Sequence, residues 1–107
     1  MEQVELFTII DSFVIKGRGV ILVPDFSVPE SGWLNRTENV RILIPQGNWL
    51  DFEAVFGVAH FNIADPDSTI DQRWRVTVRL EESSEKIPVG SKVFCSKELC
   101  RDLTGNI

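Results

Sequence analysis

The segment Arg73–Leu80 constrains the fold more than any other part of the chain. Its residues alternate without a break, Trp74, Val76, Val78 and Leu80 to one side and Arg73, Arg75, Thr77 and Arg79 to the other. Extended backbone, with its two-residue side-chain period, sorts such a sequence into one apolar and one polar face. The alternation predicts a strand with Trp74 in the core. Shorter runs of the same kind surround it. Val4–Ile15 is rich in Val, Ile and Phe, Val20–Val23 is a β-branched run limited by Pro24, and Val40–Ile44 alternates. Phe52–Phe61 carries an internal Gly57, which suggests a bulge or a close backbone approach, and Ile87–Cys95 reads as the last strand.

Turn residues punctuate these runs. Gly17-Arg18-Gly19 supplies a tight bend, Pro45-Gln46-Gly47-Asn48 a second, and Ala64-Asp65-Pro66-Asp67-Ser68 a loop. Short strands with turns roughly every eight to twelve residues argue a small antiparallel barrel or sandwich. Closure removes the sticky edges of so small a sheet. The expected fold is therefore all-β, a small closed six-stranded antiparallel β-barrel, with a short helical turn over Ser96–Leu103. The 107 residues make a single domain, 1–107.

Composition narrows the function classes. Sixteen acidic residues against eleven basic give a net charge of −5, which opposes nonspecific nucleic-acid binding and suits a basic partner. Residues 1–64 hold eight acids and four bases, so the first half is the more anionic. No apolar run approaches the roughly 18 residues of a membrane span. Glu2 and Glu5 follow Met1 where a signal peptide has its basic region, so a cytoplasmic location without membrane contact is expected. In that reducing compartment Cys95 and Cys100 are expected free and structural. With the single His60 they fall short of a four-ligand zinc site.

The residues also resemble a known family. Phe7-Thr-Ile-Ile-Asp11-Ser-Phe13-Val-Ile15-Lys-Gly17-Arg18-Gly19-Val20-Ile21 is similar to the opening of the second domain of translational GTPases of the elongation factor Tu class. Val40-Arg-Ile42, Phe56-Gly57-Val58, Val76-Thr-Val78-Arg-Leu80 and Ile87-Pro-Val-Gly90-Ser-Lys-Val93 then follow in the family's order, over about residues 6–95. The resemblance implies that family's six-stranded barrel. Residues 24–39 are rebuilt around Pro29 and Trp33, and Asp71-Gln72 stands where the family has a glycine. No Gly-x4-Gly-Lys-Ser/Thr loop occurs, so no nucleotide, cofactor or GTP hydrolysis is expected.

No constellation in the chain argues for catalysis. His60 has no nucleophile motif to serve, and it reads as a strand-edge histidine. Asp65, Asp67 and Asp71 have the look of a calcium loop, but Ile70 and Val76 stand where its glycine and glutamate belong. Arg73, Arg75 and Arg79 form a basic stripe. It reads chiefly as cross-strand pairing with Glu53, Glu81 or Glu85, and otherwise as an anion or RNA contact. Trp33 and Trp49 lie in predicted loops, Pro24–Asn39 and Pro45–Asp51, either capping the barrel or anchoring an interface. If the loops project together, the two tryptophans form an apolar centre rimmed by Asp25, Glu30 and Asp51.

These features lead to a non-catalytic cytoplasmic module that binds another protein with a basic surface. A small acidic immunity or antitoxin-type protein covering a basic nuclease is the alternative. A ribosome or tRNA contact, implied by the family resemblance, is the weaker third.

Overall fold

The computed structural model describes residues 3–60 and 74–105, with His60 described by its backbone alone. Seven strands run in chain order: β1 (Gln3–Thr8), β2 (Asp11–Ile15), β3 (Gly19–Ser27), β4 (Arg36–Leu43), β5 (Trp49–His60), β6 (Trp74–Leu80) and β7 (Lys92–Ser96). One helix, α1 (Lys97–Thr104), follows. The strands form a single antiparallel sheet in the order β1-β7-β4-β5-β6-β3-β2, curled into a half-barrel.

The sheet is open and has seven strands, where six in a closed barrel were expected. The difference arises at one point. Val4–Ile15, predicted as one strand, divides at Ile9–Ile10, and its two parts join opposite ends of the sheet. The Ile9 N–H donates to the Ser91 carbonyl at 2.7 Å, and the Gly90 N–H donates to the Ile9 carbonyl at 2.8 Å, beside β7. The very next N–H, of Ile10, donates to the Val23 carbonyl at 2.9 Å, on β3. Beyond this corner β1 pairs with β7 and β2 with β3, and no ladder joins β1 to β2.

The concave face is the core. Ile9, Val20, Leu22, Val40, Ile42, Phe56, Val76, Val78, Leu80 and Val93 are buried there. Val76, Val78 and Leu80 face inward as their alternation predicts. Trp74 does not, being 52% exposed. It pairs with His60 at the far end of the β5–β6 ladder, two residues beyond Val76, the nearest buried residue of its strand. Gly57 makes no bulge: it lies just past the end of the β4–β5 ladder, its pairing with Thr77 on β6 is regular, and the Asn35 side chain lies over it and accepts from the Val58 N–H at 2.9 Å. Nor does Pro24 end its strand. β3 continues to Ser27, and its register shifts between Leu22 and Phe26, an interval in which a residue without an N–H fits.

The C-terminal turn is a full helix. Ser96 caps it by accepting from the Leu99 N–H at 3.1 Å, and Gly105 ends it in the left-handed conformation. Leu99 and Leu103, one turn apart, are buried and extend the core. Arg36 on β4 ties the helix to the sheet, reaching Asp102 at 3.0 Å and Glu38 at 2.6 Å. These carboxylates hold the Arg36 guanidinium above its ordinary pKa. At the β2–β3 turn Gly19 has φ +103°, and an added Cβ there would overlap the Leu80 carbonyl oxygen. That contact explains the second glycine of Gly17-Arg18-Gly19.

Two buried serines make opposite contributions. The Ser12 hydroxyl donates to the Ile87 carbonyl at 3.2 Å and accepts from the Ile87 N–H at 3.1 Å. The buried Ser91 hydroxyl has no hydrogen-bond partner among the described residues. Ser12→Ala strands two backbone groups and is expected to cost about 1–3 kcal/mol in urea unfolding. Ser91→Ala removes an unpaired polar atom and is expected to be neutral or stabilising by up to about 1 kcal/mol.

Candidate functional site

The two loop tryptophans occupy different places. Trp33 is half-buried against the core, and its indole N–H donates to the Phe56 carbonyl at 2.9 Å. The Arg36 guanidinium lies 5.5 Å from its ring. This is a residue that covers an end of the core. Trp49 is not in a loop at all: it opens β5, 45% exposed, edge-on to Phe94 at 5.2 Å. Arg41 sits 4.8 Å over its ring and reaches Asp51 at 2.9 Å. Trp49 lies seven positions along β5 from the carbonyl that Trp33 holds, so about 20 Å separates the two indoles' anchor points.

The expected patch is therefore not assembled. Asp51 is taken by Arg41 on the Trp49 face, and Asp25 by Arg75 at 2.9 Å. Glu30 lies in the loop beside Trp33, in an open groove with Val28, Pro29, Arg36 and Asp102. Of the basic stripe, Arg73 lies outside the described residues. Arg75 binds Asp25 and donates to the Ser27 hydroxyl at 3.2 Å. Arg79 donates to the Arg18 carbonyl at 2.6 Å and lies 3.5 Å from Glu81. Both are engaged in partly exposed pairs of the kind worth a fraction of a kcal/mol. Glu81 is one of the partners expected from sequence, and Asp25 is not.

Cys95 and Cys100 are free. Cys95 is fully buried, and desolvation, with a smaller effect of Cys100, pushes its thiol up to about 12. A thiol so held is neutral and inert rather than nucleophilic. Among the described residues no three His, Cys, Asp or Glu side chains gather as a metal site, and no helix is long and apolar enough to cross a membrane. Asp65, Asp67 and Asp71 lie outside the described residues.

The most distinctive surface is one that the sequence reading passed over. Among the described residues eight large apolar side chains are exposed, and five of them cluster at β2 and the corner leading to it: Ile10 at 62%, Phe13, Val14, Ile15, and Val89 beside the Gly90–Ile9 bond. The other three, Leu34, Trp49 and Trp74, are scattered. β2 is also an edge of the sheet. The signal was present in Phe13-Val14-Ile15, three consecutive apolar residues that cannot alternate and so must leave one face apolar to water. The opposite edge, β1, is blunted by a bulge between Glu5 and Phe7 and by the Glu5–Lys92 pair.

Neither a family model, a curated protein nor a solved structure matches this chain. The likeness to the translational GTPase barrel thus rests on the sequence motifs.

Iodide quenching of tryptophan fluorescence is expected to report chiefly Trp49 and Trp74. Trp49→Phe lowers the quenched fraction, whereas Trp33→Phe raises it and costs about 1 kcal/mol through the lost hydrogen bond. The raised Cys95 pKa has a signed consequence. Its contribution to stability is whole below the ordinary thiol value of 9.0 and is lost as pH rises towards 12. Between about pH 8 and about pH 10.5 the urea midpoint should fall further in the wild type than in Cys95→Ala.

Proposed function

We propose that this chain is a non-catalytic β-sheet module that docks on another protein, and that β2 is its docking edge. The carrying observation is the concentration of exposed Ile10, Phe13, Val14, Ile15 and Val89 on one unpaired edge. Soluble proteins seldom leave a contiguous apolar patch uncovered without a partner for it. An unpaired edge without a bulge or a blocking ion pair adds a row of unmet backbone groups. Trp33, by contrast, is committed to the Phe56 carbonyl, and Trp49 to Phe94 and Arg41, which moves the favoured surface away from the tryptophans.

The Gly17-Arg18-Gly19 motif turns β2 into β3, with Gly19 pressed on Leu80. This supports reading the half-barrel as a fold relative of the translational GTPase second domain that lacks the GTPase chemistry. An RNA role has less support, because Arg75 and Arg79 already face Asp25 and Glu81.

A photocrosslinking benzoylphenylalanine at position 13, in extract from the source organism, is expected to give a discrete protein adduct. Excess wild-type chain should compete it away and the Phe13→Lys chain should not. Probes at positions 34 and 49 should give none. Adducts from 34 or 49 alone, or from none of the three, would overturn the assignment.

A further inference from the structure

Resting on that docking reading, we propose that the β2 edge takes an extended segment of its partner, laid antiparallel beside β2, with acidic residues at the segment's N-terminal end against Lys16 and Arg18. The backbone argument comes first. β2 pairs with β3 in unbroken register from Asp11↔Val23 to Ile15↔Gly19. Its straight outer edge presents the donors and acceptors that strand addition uses, and antiparallel addition is the more stable kind. Ser12 pins Ile87 from this side through its hydroxyl, leaving the edge itself without a ladder.

The side chains define the segment's middle. Phe13 shares the outer face with Ile21, and Val14 shares the inner face with Val20, because residues directly opposite in a ladder point the same way. An added strand therefore meets apolar neighbours on both faces, which calls for β-branched residues in succession.

Charge defines its end. Lys16 and Arg18 are exposed, and neither side chain has an ion pair among the described residues. Exposed Lys86 also has none among them, whereas Arg36, Arg41, Arg75, Arg79 and Arg101 each have at least one. The whole stretch Phe13–Val23 holds these two cations and no acid, in a chain of net charge −5. Glu81 and Glu82 line the groove beside the turn, and Arg79 engages Glu81, so three cations there face two carboxylates. The turn follows the C-terminal end of β2, and an antiparallel neighbour brings its N-terminal end to that place. A second copy of this chain fits less well. Its own β2 would offer one carboxylate, Asp11, already accepting from the Ser12 N–H at 2.8 Å, and two chains of charge −5 repel.

The test uses the full chain and two labelled peptides, Asp-Glu-Val-Thr-Val-Thr-Val and Lys-Lys-Val-Thr-Val-Thr-Val, followed by fluorescence anisotropy. The acid-led peptide is expected to bind roughly fivefold tighter, with the difference gone at about 0.5 M NaCl. In the Lys16→Glu, Arg18→Glu double variant, with circular dichroism unchanged, the preference should invert. Equal binding of both peptides would overturn the acidic end while leaving the docking edge in place. No binding of either by a monomeric chain would overturn the extended occupant, and the crosslinking result would then judge the docking edge separately. A dimer in sedimentation that Phe13→Lys dissolves would mean the edge is covered by a second copy, and would overturn the proposal.

Discussion

The fold depends on two adjacent peptide groups. At Ile9 the backbone bonds to Ser91 and Gly90, and at Ile10 it bonds to Val23. One residue's step along the chain thus spans the two ends of a seven-stranded sheet. That step sets the curl, because the ends must come within one residue of each other for both sets of bonds to form. It also sets the limit of closure, since a strand that divides its pairing between β7 and β3 has no length left over which β1 and β2 could pair. Ile9 itself is fully buried at the corner, while Ile10, its neighbour, is among the most exposed apolar residues described. The same step that builds the core therefore begins the apolar surface.

Around this corner the polar contacts are economical. Ser12 satisfies both backbone groups of Ile87, and Ile87 fills the space beneath β2 with its side chain. At the other end of the half-barrel, α1 supplies Leu99 and Leu103, and Arg36 fixes the helix through Asp102. Trp33 closes over Phe56 nearby. Arg36, Arg41, Arg75 and Arg79 on the strands are drawn into ion pairs, most of them cross-strand or between neighbouring segments. The β2–β3 hairpin differs, apolar along its edge and with one more cation than carboxylate at its turn.

Much of this was legible in the sequence, for reasons that differ by element. The alternation in β6 reads correctly because Val76, Val78 and Leu80 sit in mid-sheet, where strand period and burial coincide. It misleads at Trp74 because periodicity says which way a side chain points and not how deep in the sheet its position lies, and Trp74 is the first residue of its strand. The position of Trp49 was hidden by Pro45 and Gly47, which mark a turn tight enough for β5 to begin at once after it: Ile44 already bonds to Asn48 at 3.0 Å. The division at Ile9–Ile10 leaves no mark in composition, since both residues are good strand formers. Only the positions of their distant partners separate them. The pairing of Arg75 with Asp25 is of the same kind, 50 residues apart and set by the β3–β6 register.

The order of the strands has a consequence for how the chain acquires its shape. β7 lies between β1 and β4, yet it is the last strand in the sequence. As the chain leaves the ribosome, β2, β3, β4, β5 and β6 can already meet their partners, but β1 has none until Lys92–Ser96 has been made. β1 must therefore wait for a strand that lies about 85 residues further along the chain. Contacts of such long sequence separation pay their loop-closure entropy before they are rewarded, and they form slowly. The sheet is completed by β7, and a nascent chain that has not yet reached Ser96 holds β1 as an unpaired strand.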